Sequence, residues 1–188
     1  MTADMAAWPE KTTLASHQAR FEALVAEHRG IAFKVANAYA REAEDRKDLI
    51  QEIVTQTWRA FPYYDEGRRF STWMYRIALN VAISRRRAET TRARHLPSDP
   101  SVTLEALPGS SGAPDDRIRE LYRVIDALDD LHKALVVLYL EGHDQREMAE
   151  ILGLTETNVA TRLSRLRQRL RHDLAPRPAP SGGDRGTR

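Results

Sequence analysis

The chain has 188 residues and no cysteine, and its 29 lysines and arginines against 27 acids leave a net charge of +2 at neutral pH. Without cysteine it can form no disulfide, thiolate metal site or redox-sensing thiol of its own, which suits a reducing cytoplasm. So small a positive excess rules out a tight grip on duplex DNA by bulk attraction alone, because affinity rises with the phosphates neutralised and falls steeply with salt; a nucleic-acid role must rest on a local patch and a partner.

Residues 1–14 read as a frayed lead-in with neither a basic start nor a long apolar core, and no later stretch is apolar enough to span a bilayer. A cytoplasmic protein without membrane insertion is expected. Helical periodicity begins near Ala15 with Phe21, Leu24 and Val25, and resumes after Gly30 with Ile31, Val35, Ala38 and Tyr39, so two short helices meeting at Gly30 are expected. Asp45 is placed to cap a longer helix whose Leu49, Ile50, Ile53, Val54, Trp58 and Phe61 form a broad apolar face, until Pro62 stops it. Its outer face keeps Asp48, Gln51, Glu52, Thr55 and Arg59. After the loop 63–69, Ser71 is placed to cap a helix with Phe70 and Tyr75 as its hydrophobic staple. That helix buries Met74, Ile77, Ala78, Val81 and Ala82 and runs out into Arg85, Arg86 and Arg87.

Across 89–114 the periodicity disappears among Pro97, Pro100, Pro108, Gly109, Gly112 and Pro114, as in a flexible linker. Helical order resumes near residue 115 with Ile118, Leu121, Tyr122, Ile125 and Leu128, followed by the apolar run 134–140. The tail 175–188 has too little apolar surface to order itself. No β signal is present. The expected fold is all-α, with two small helical domains at 15–88 and 115–174 and a flexible linker at 89–114 between them.

The stretch from Asp144 to Leu170 is the most informative. Asp144 can cap a helix with Glu147 completing a capping box, Met148, Ile151 and Leu152 make a buried stripe, and Gly153 supplies a turn at positive φ. Thr155 then caps a second helix whose Val159, Leu163, Leu166 and Leu170 share one narrow arc. Its opposite face carries Thr157, Thr161, Ser164, Arg165 and Gln168, short polar groups and one arginine able to reach base edges, with Ala160 and Arg171 beside them. Arg162, Arg167 and Arg169 flank it where a helix in a major groove meets phosphates. The pattern is a DNA-reading helix-turn-helix; the plainer alternative is an amphipathic helix with solvated arginines. Upstream, FSTWMYRIALNVAISRRR, with Tyr63 and Tyr64 before it, sets aromatic beside basic residues, the materials of single-strand binding, in which each stacked base is worth roughly 1–3 kcal/mol. On the residues alone, core packing explains these aromatics better.

Taken together, in this order, DLIQEIVTQTWRAF, FSTWMYRIALNVAISRRR and EGHDQREMAEILGLTETNVATRLSRLRQRL resemble the core-polymerase-binding helix, the promoter-melting helix and the −35-reading module of the extracytoplasmic-function (ECF) sigma factors, within the RNA polymerase sigma-70 family. The resemblance covers about residues 21–174. It implies sigma-2-like and sigma-4-like domains, with a linker threading into the polymerase, and a chain that binds core RNA polymerase and directs promoter-specific initiation. Matched positions imply docking on the clamp helices of the largest polymerase subunit by Asp48, Gln51, Glu52, Thr55, Trp58 and Arg59. They imply that Tyr64, Phe70, Trp73, Arg76, Asn80 and Arg87 hold and melt the −10 element. For the −35 element they imply base reading by Thr161, Ser164 and Arg165, with Thr157 and Gln168 on the same face and Asn158, Arg162 and Arg167 toward phosphates. An anti-sigma factor is the further implied partner; no catalytic residue, cofactor or metal is implied. The chain departs from the pattern at Ala160, where many relatives carry a basic residue, and at Asp129, where many carry proline.

Two other readings stand beside this one. A stand-alone helix-turn-helix regulator would share the reading helix, but such proteins usually dimerise and carry an effector or oligomerisation domain, and the first half offers no recognisable ligand pocket. Asp45, Asp48 and Glu52 could hold Mg²⁺ in a small metal-dependent nuclease. His17, His28, His95, His132, His143 and His172 are scattered without metal-ligand spacing, and no nucleophile motif or phosphate-binding glycine loop is present, so no enzyme is expected.

Overall fold

The structure, a computed structural model, describes residues 11–95 and 127–173. The helical pattern from residue 115, the tail and most of the expected linker lie outside the described residues. The elements are α1 (Lys11–Tyr39), α2 (Ala43–Ala60), a 3₁₀ turn (Phe61–Tyr63), α3 (Phe70–His95), α4 (Asp130–Leu140), α5 (Gln145–Leu152) and α6 (Glu156–Asp173), with no strand among the described residues.

The first lobe packs α1, α2 and α3 together. α1 runs unbroken through Gly30, in place of the two helices expected to meet there. The reason is in the register: Phe21, Leu24, His28, Ile31 and Val35 follow one helical stripe across the glycine, and burial of Ile31, Ala32, Val35 and Ala36 outweighs the roughly 1 kcal/mol by which glycine weakens a helix. α2 starts at Ala43 with Glu42 at the N-cap position and no side-chain cap. Asp45 therefore does not cap it. It lies in the first turn, where a carboxylate favours the helix dipole, and accepts from Arg85 Nη2 at 3.0 Å. Pro62 falls inside the 3₁₀ turn, where its missing N–H costs nothing.

α3 begins one residue before Ser71, with the Arg69 carbonyl accepting from the Trp73 N–H at 3.2 Å. Phe70 and Tyr75 do not staple it: Phe70 turns into an aromatic cluster, and Tyr75 meets His143 edge-on at 4.9 Å between ring centres. The helix also continues past residue 88, where apolar periodicity ends. Arg85 Nε donates to Glu89 at 2.9 Å, and the hydroxyls of Thr90 and Thr91 donate to the carbonyls of Arg86 and Arg87, each at 2.9 Å. Polar i, i+4 contacts of this kind leave no hydrophobic signature. Thr57, fully buried in α2, satisfies its hydroxyl on the Ile53 carbonyl at 2.7 Å.

The second lobe gathers Leu128, Leu135, Leu138, Met148, Ile151, Val159, Leu163 and Leu166 into its core. Asp129, standing where the resemblance leads one to expect proline, is the N-cap of α4: its carboxylate accepts from the His132 N–H at 2.9 Å and meets His132 Nδ1 at 2.6 Å. Burial raises its pKa, but these bonds win and hold the carboxyl below its usual 3.8.

The lobes touch, α5 against α3 and α4 against α1. Among the described residues, ion pairs cross the seam between Lys34 and Glu141, Arg68 and Glu150 at 3.3 Å, Arg69 and Glu147 at 2.6 Å, and Arg86 and Asp130 at 3.2 Å. In each of these pairs the base belongs to the first lobe and the acid to the second. Tyr39 adds a hydrogen bond from its hydroxyl to the Asp130 carbonyl at 2.6 Å. Burial, reinforced by nearby Asp130 for Tyr39 and Glu141 for Tyr75, raises the pKa of both phenols and keeps them protonated donors at the seam.

Candidate nucleic-acid interface

The helix-turn-helix is built by short-range chemistry. Asp144 Oδ1 accepts from the Glu147 N–H at 2.7 Å while Glu147 Oε2 accepts from the Asp144 N–H at 3.3 Å, closing both halves of the capping box. Gly153 turns the chain at φ +67°, and Thr155 Oγ1 accepts from the Asn158 N–H at 3.3 Å to start α6. Val159, Leu163 and Leu166 are then buried, which fixes the outward face. Thr157, Asn158, Thr161, Ser164, Arg165, Arg167 and Gln168 are exposed on it, and Arg162 is half-exposed.

Several of these side chains are aimed. Asn158 Oδ1 accepts from Arg162 Nε at 2.6 Å, so the amide orients the guanidinium. Thr161 donates its hydroxyl to the Thr157 carbonyl at 2.9 Å. The Arg167 guanidinium lies 5.1 Å from the centre of the Tyr139 ring, a cation–π contact that ties α6 to α4. Tyr139 was not among the residues picked out from sequence, and inside an apolar run nothing marks it as exposed.

In the first lobe, the loop before α3 is braced from within. The Tyr64 hydroxyl donates to the Arg68 carbonyl at 2.5 Å, the Gly67 N–H to Asp65 Oδ1 at 2.9 Å, and Arg20 pairs with Glu66. Along α3, Trp73, Arg76, Asn80 and Arg87 fall on one stripe; Trp73 is half-buried and the other three are exposed. Phe70 does not join them. It is 5% exposed, its ring packed among those of His28, Phe61, Tyr64 and Trp73 and closed to solvent. Tyr63, one of the aromatics that the sequence sets beside basic residues, is 87% exposed and is the aromatic most open to stacking in this loop.

The outer face of α2 presents Asp48, Gln51, Glu52, Thr55 and Arg59, with Gln56 and Arg85 of α3 completing a shallow, polar cleft. Trp58 is half-buried, its ring 4.8 Å from Phe21, so it underpins this face more than it displays itself. Among the described residues no group of three or more His, Cys, Asp or Glu is placed to hold a metal ion, and no helix is long and apolar enough to cross a membrane.

Residues 24–92 match the pattern described as Sigma-70 region 2, and residues 118–170 match Sigma-70, region 4. The chain is 29% identical over 182 residues to the ECF RNA polymerase sigma factor SigE of Mycolicibacterium smegmatis, which covers 93% of this chain and 65% of SigE. The chain belongs to the sigma-70 family, in its ECF group. A second relative of this sigma chain, the probable RNA polymerase sigma factor RfaY of Xanthomonas campestris pv. campestris, is 28% identical over 153 residues, or 76% of this chain and 37% of RfaY. The chain thus spans less than two thirds of the length of either. In architecture it is similar to CnrH, solved in complex with the cytosolic domain of CnrY, with a TM-score of 0.58 and 25% identity over 82% of this chain and 87% of that one. The region 2 match contains the α2 face, the braced loop and the α3 stripe; the region 4 match contains the whole helix-turn-helix.

Proposed function

We propose that this sigma-family chain binds core RNA polymerase and directs promoter-specific transcription initiation. The observation that carries the reading is the division of labour within one chain. One lobe exposes a groove-reading helix with phosphate-directed arginines on its flanks; the other exposes an aromatic and basic stripe suited to an opened strand. In this reading Arg165, Ser164 and Thr161 read −35 base edges, with Thr157 and Gln168 beside them and Arg162, Asn158 and Arg167 toward the backbone. Tyr64, Trp73, Arg76, Asn80 and Arg87 hold the melted −10 strand, with Tyr63 added and Phe70 as support. Unstacking a base costs a few kcal/mol, which stacking on an aromatic face offsets. Asp48, Gln51, Glu52, Thr55 and Arg59 dock on the polymerase clamp helices, whose basic character their acids and amides suit.

Such a chain works in the cytoplasm, beside the chromosome. CnrH is solved with the cytosolic domain of CnrY, and a comparable protein partner, an anti-sigma factor, is proposed here. Runoff transcription by core polymerase on a genomic fragment library, with start sites mapped, tests the reading. Initiation at defined sites only when the chain is added is the expected result; initiation no more accurate than by core alone overturns it. A stand-alone regulator would instead shift a defined duplex without polymerase.

A further inference from the structure

We infer that Tyr139 is a positioning residue for the contact of α6 with duplex DNA: its ring holds the Arg167 guanidinium ready for a phosphate without neutralising it. The inference rests on the −35 role proposed above for α6. A helix lying in a major groove has the backbone of one strand along each flank, so it is served by a cation on both sides of its base-facing stripe. At about 100° per residue, Arg162 and Arg167 fall on opposite sides of the stripe formed by Thr157, Thr161, Ser164 and Gln168. Arg162 is aimed from within α6, by Asn158 Oδ1 at 2.6 Å from its Nε. Arg167 has no such neighbour: one turn before and after it stand Leu163, Ser164, Leu170 and Arg171, with neither a carboxylate nor an amide among them. Its aim comes from α4 instead, through the Tyr139 ring centre 5.1 Å from the guanidinium carbon.

The ring stands on a fixed backbone. Leu135 and Leu138 anchor α4 in the core of the lobe, and the Gly142 N–H donates to the Tyr139 carbonyl at 3.1 Å where the helix ends. Half of the tyrosine surface nevertheless stays exposed, so the side chain adds little to the core. An aromatic suits this place for a chemical reason. A carboxylate there would pair with Arg167 through the same N–H groups that a phosphate needs, and would compete for them. A ring attracts the cation through its quadrupole, leaves the positive charge intact, and leaves the fork of N–H groups in the guanidinium plane available. Arg167 is exposed, and an arginine ordered only on binding pays for its lost rotamer freedom at that moment. Ordering it beforehand on Tyr139 lowers that cost for every sequence alike, because a phosphate carries no base identity.

The test uses the full-length chain bound to core polymerase, on a duplex promoter taken from the start sites mapped by runoff, with affinity measured across a range of salt. Tyr139→Phe keeps the ring and should bind like the parent. Tyr139→Leu keeps an apolar side chain without a ring and should weaken binding about threefold, by the same factor on every −35 base variant. Arg167→Ala should lower the slope of log affinity against log salt by about one, the mark of one lost phosphate contact. Adding Tyr139→Leu to Arg167→Ala should then cost nothing further, since the ring acts only through the arginine. In the free chain, the nuclear magnetic resonance of the Arg167 side-chain protons should show a ring-current shift that the Phe variant keeps and the Leu variant loses. A Leu variant that binds like the parent overturns the inference. So does one that loses as much on the Arg167→Ala background as on the parent, which would give Tyr139 a merely structural role, or a Phe variant as weak as the Leu one. A chain that directs no defined start sinks the sigma reading and the phosphate role with it, whereas defined starts with any of these failures sink the role of Tyr139 alone.

Discussion

Arg165 is exposed on α6, whereas Arg162 is tethered by Asn158 and Arg167 by Tyr139. In the proposed reading this exposed guanidinium chooses among base edges. Arg165→Ala should weaken binding of the polymerase-bound chain to its promoter by about 1–3 kcal/mol and relax base preference within the −35 element. Asn158→Ala should weaken all sequences alike. Competition binding with −35 variants separates these outcomes, and an unchanged preference in the Arg165 variant removes that residue from base reading. Asp129 makes a second residue-scale prediction. Its folded pKa is lowered, so its cap is fully present above the usual carboxylate pKa of 3.8 and is lost as pH falls through the lower folded value. Asp129→Ala should cost about 1 kcal/mol by urea unfolding near pH 6, and the difference from the parent should vanish near pH 2. The caps at Asp144 and Thr155 were readable from residue spacing because their bonds span three residues. Phe70 was misread because its burial is set by rings from α1, the 3₁₀ turn and its own helix.

Among the elements, two glycines with opposite roles test how the helices are delimited. Gly30 lies within continuous α1, and a Cβ there would meet only Lys34 Cε at 3.9 Å, an ordinary contact. Gly30→Ala should therefore stabilise the fold by up to about 1 kcal/mol. Gly153 holds φ +67° at the end of α5, so although nothing lies within 4 Å of an added Cβ, Gly153→Ala should destabilise by about 1–2 kcal/mol. Chemical denaturation of the two variants gives the signs; a destabilised Gly30 variant would mean α1 bends there. Sequence periodicity located α2, α4, α5 and α6 because each buries an apolar stripe. It stopped α3 too early because residues 85–91 hold their helix with an ion pair and threonine back-bonds.

For the molecule as a whole, the proposed function assigns one face of α2 to the polymerase. Asp48 and Glu52 are exposed on α2, in a shallow polar cleft lined also by Arg59 and Arg85. Replacing both by alanine should weaken association with core polymerase about tenfold, more steeply at low salt, while circular dichroism stays unchanged. Lost transcription with intact core association would move the docking surface elsewhere. The order of α2, α3 and the helix-turn-helix was open to reading from the chain alone, because each depends on periods and caps a few residues long. The meeting of Arg68 and Arg69 with Glu150 and Glu147 was not, since charges about 80 residues apart carry no mutual signal until α5 docks on α3. Local bonding wrote the helices and their faces into the order of residues; which faces cover one another arose from packing between lobes, where burial and charge pairing act across distances that no sequence period spans.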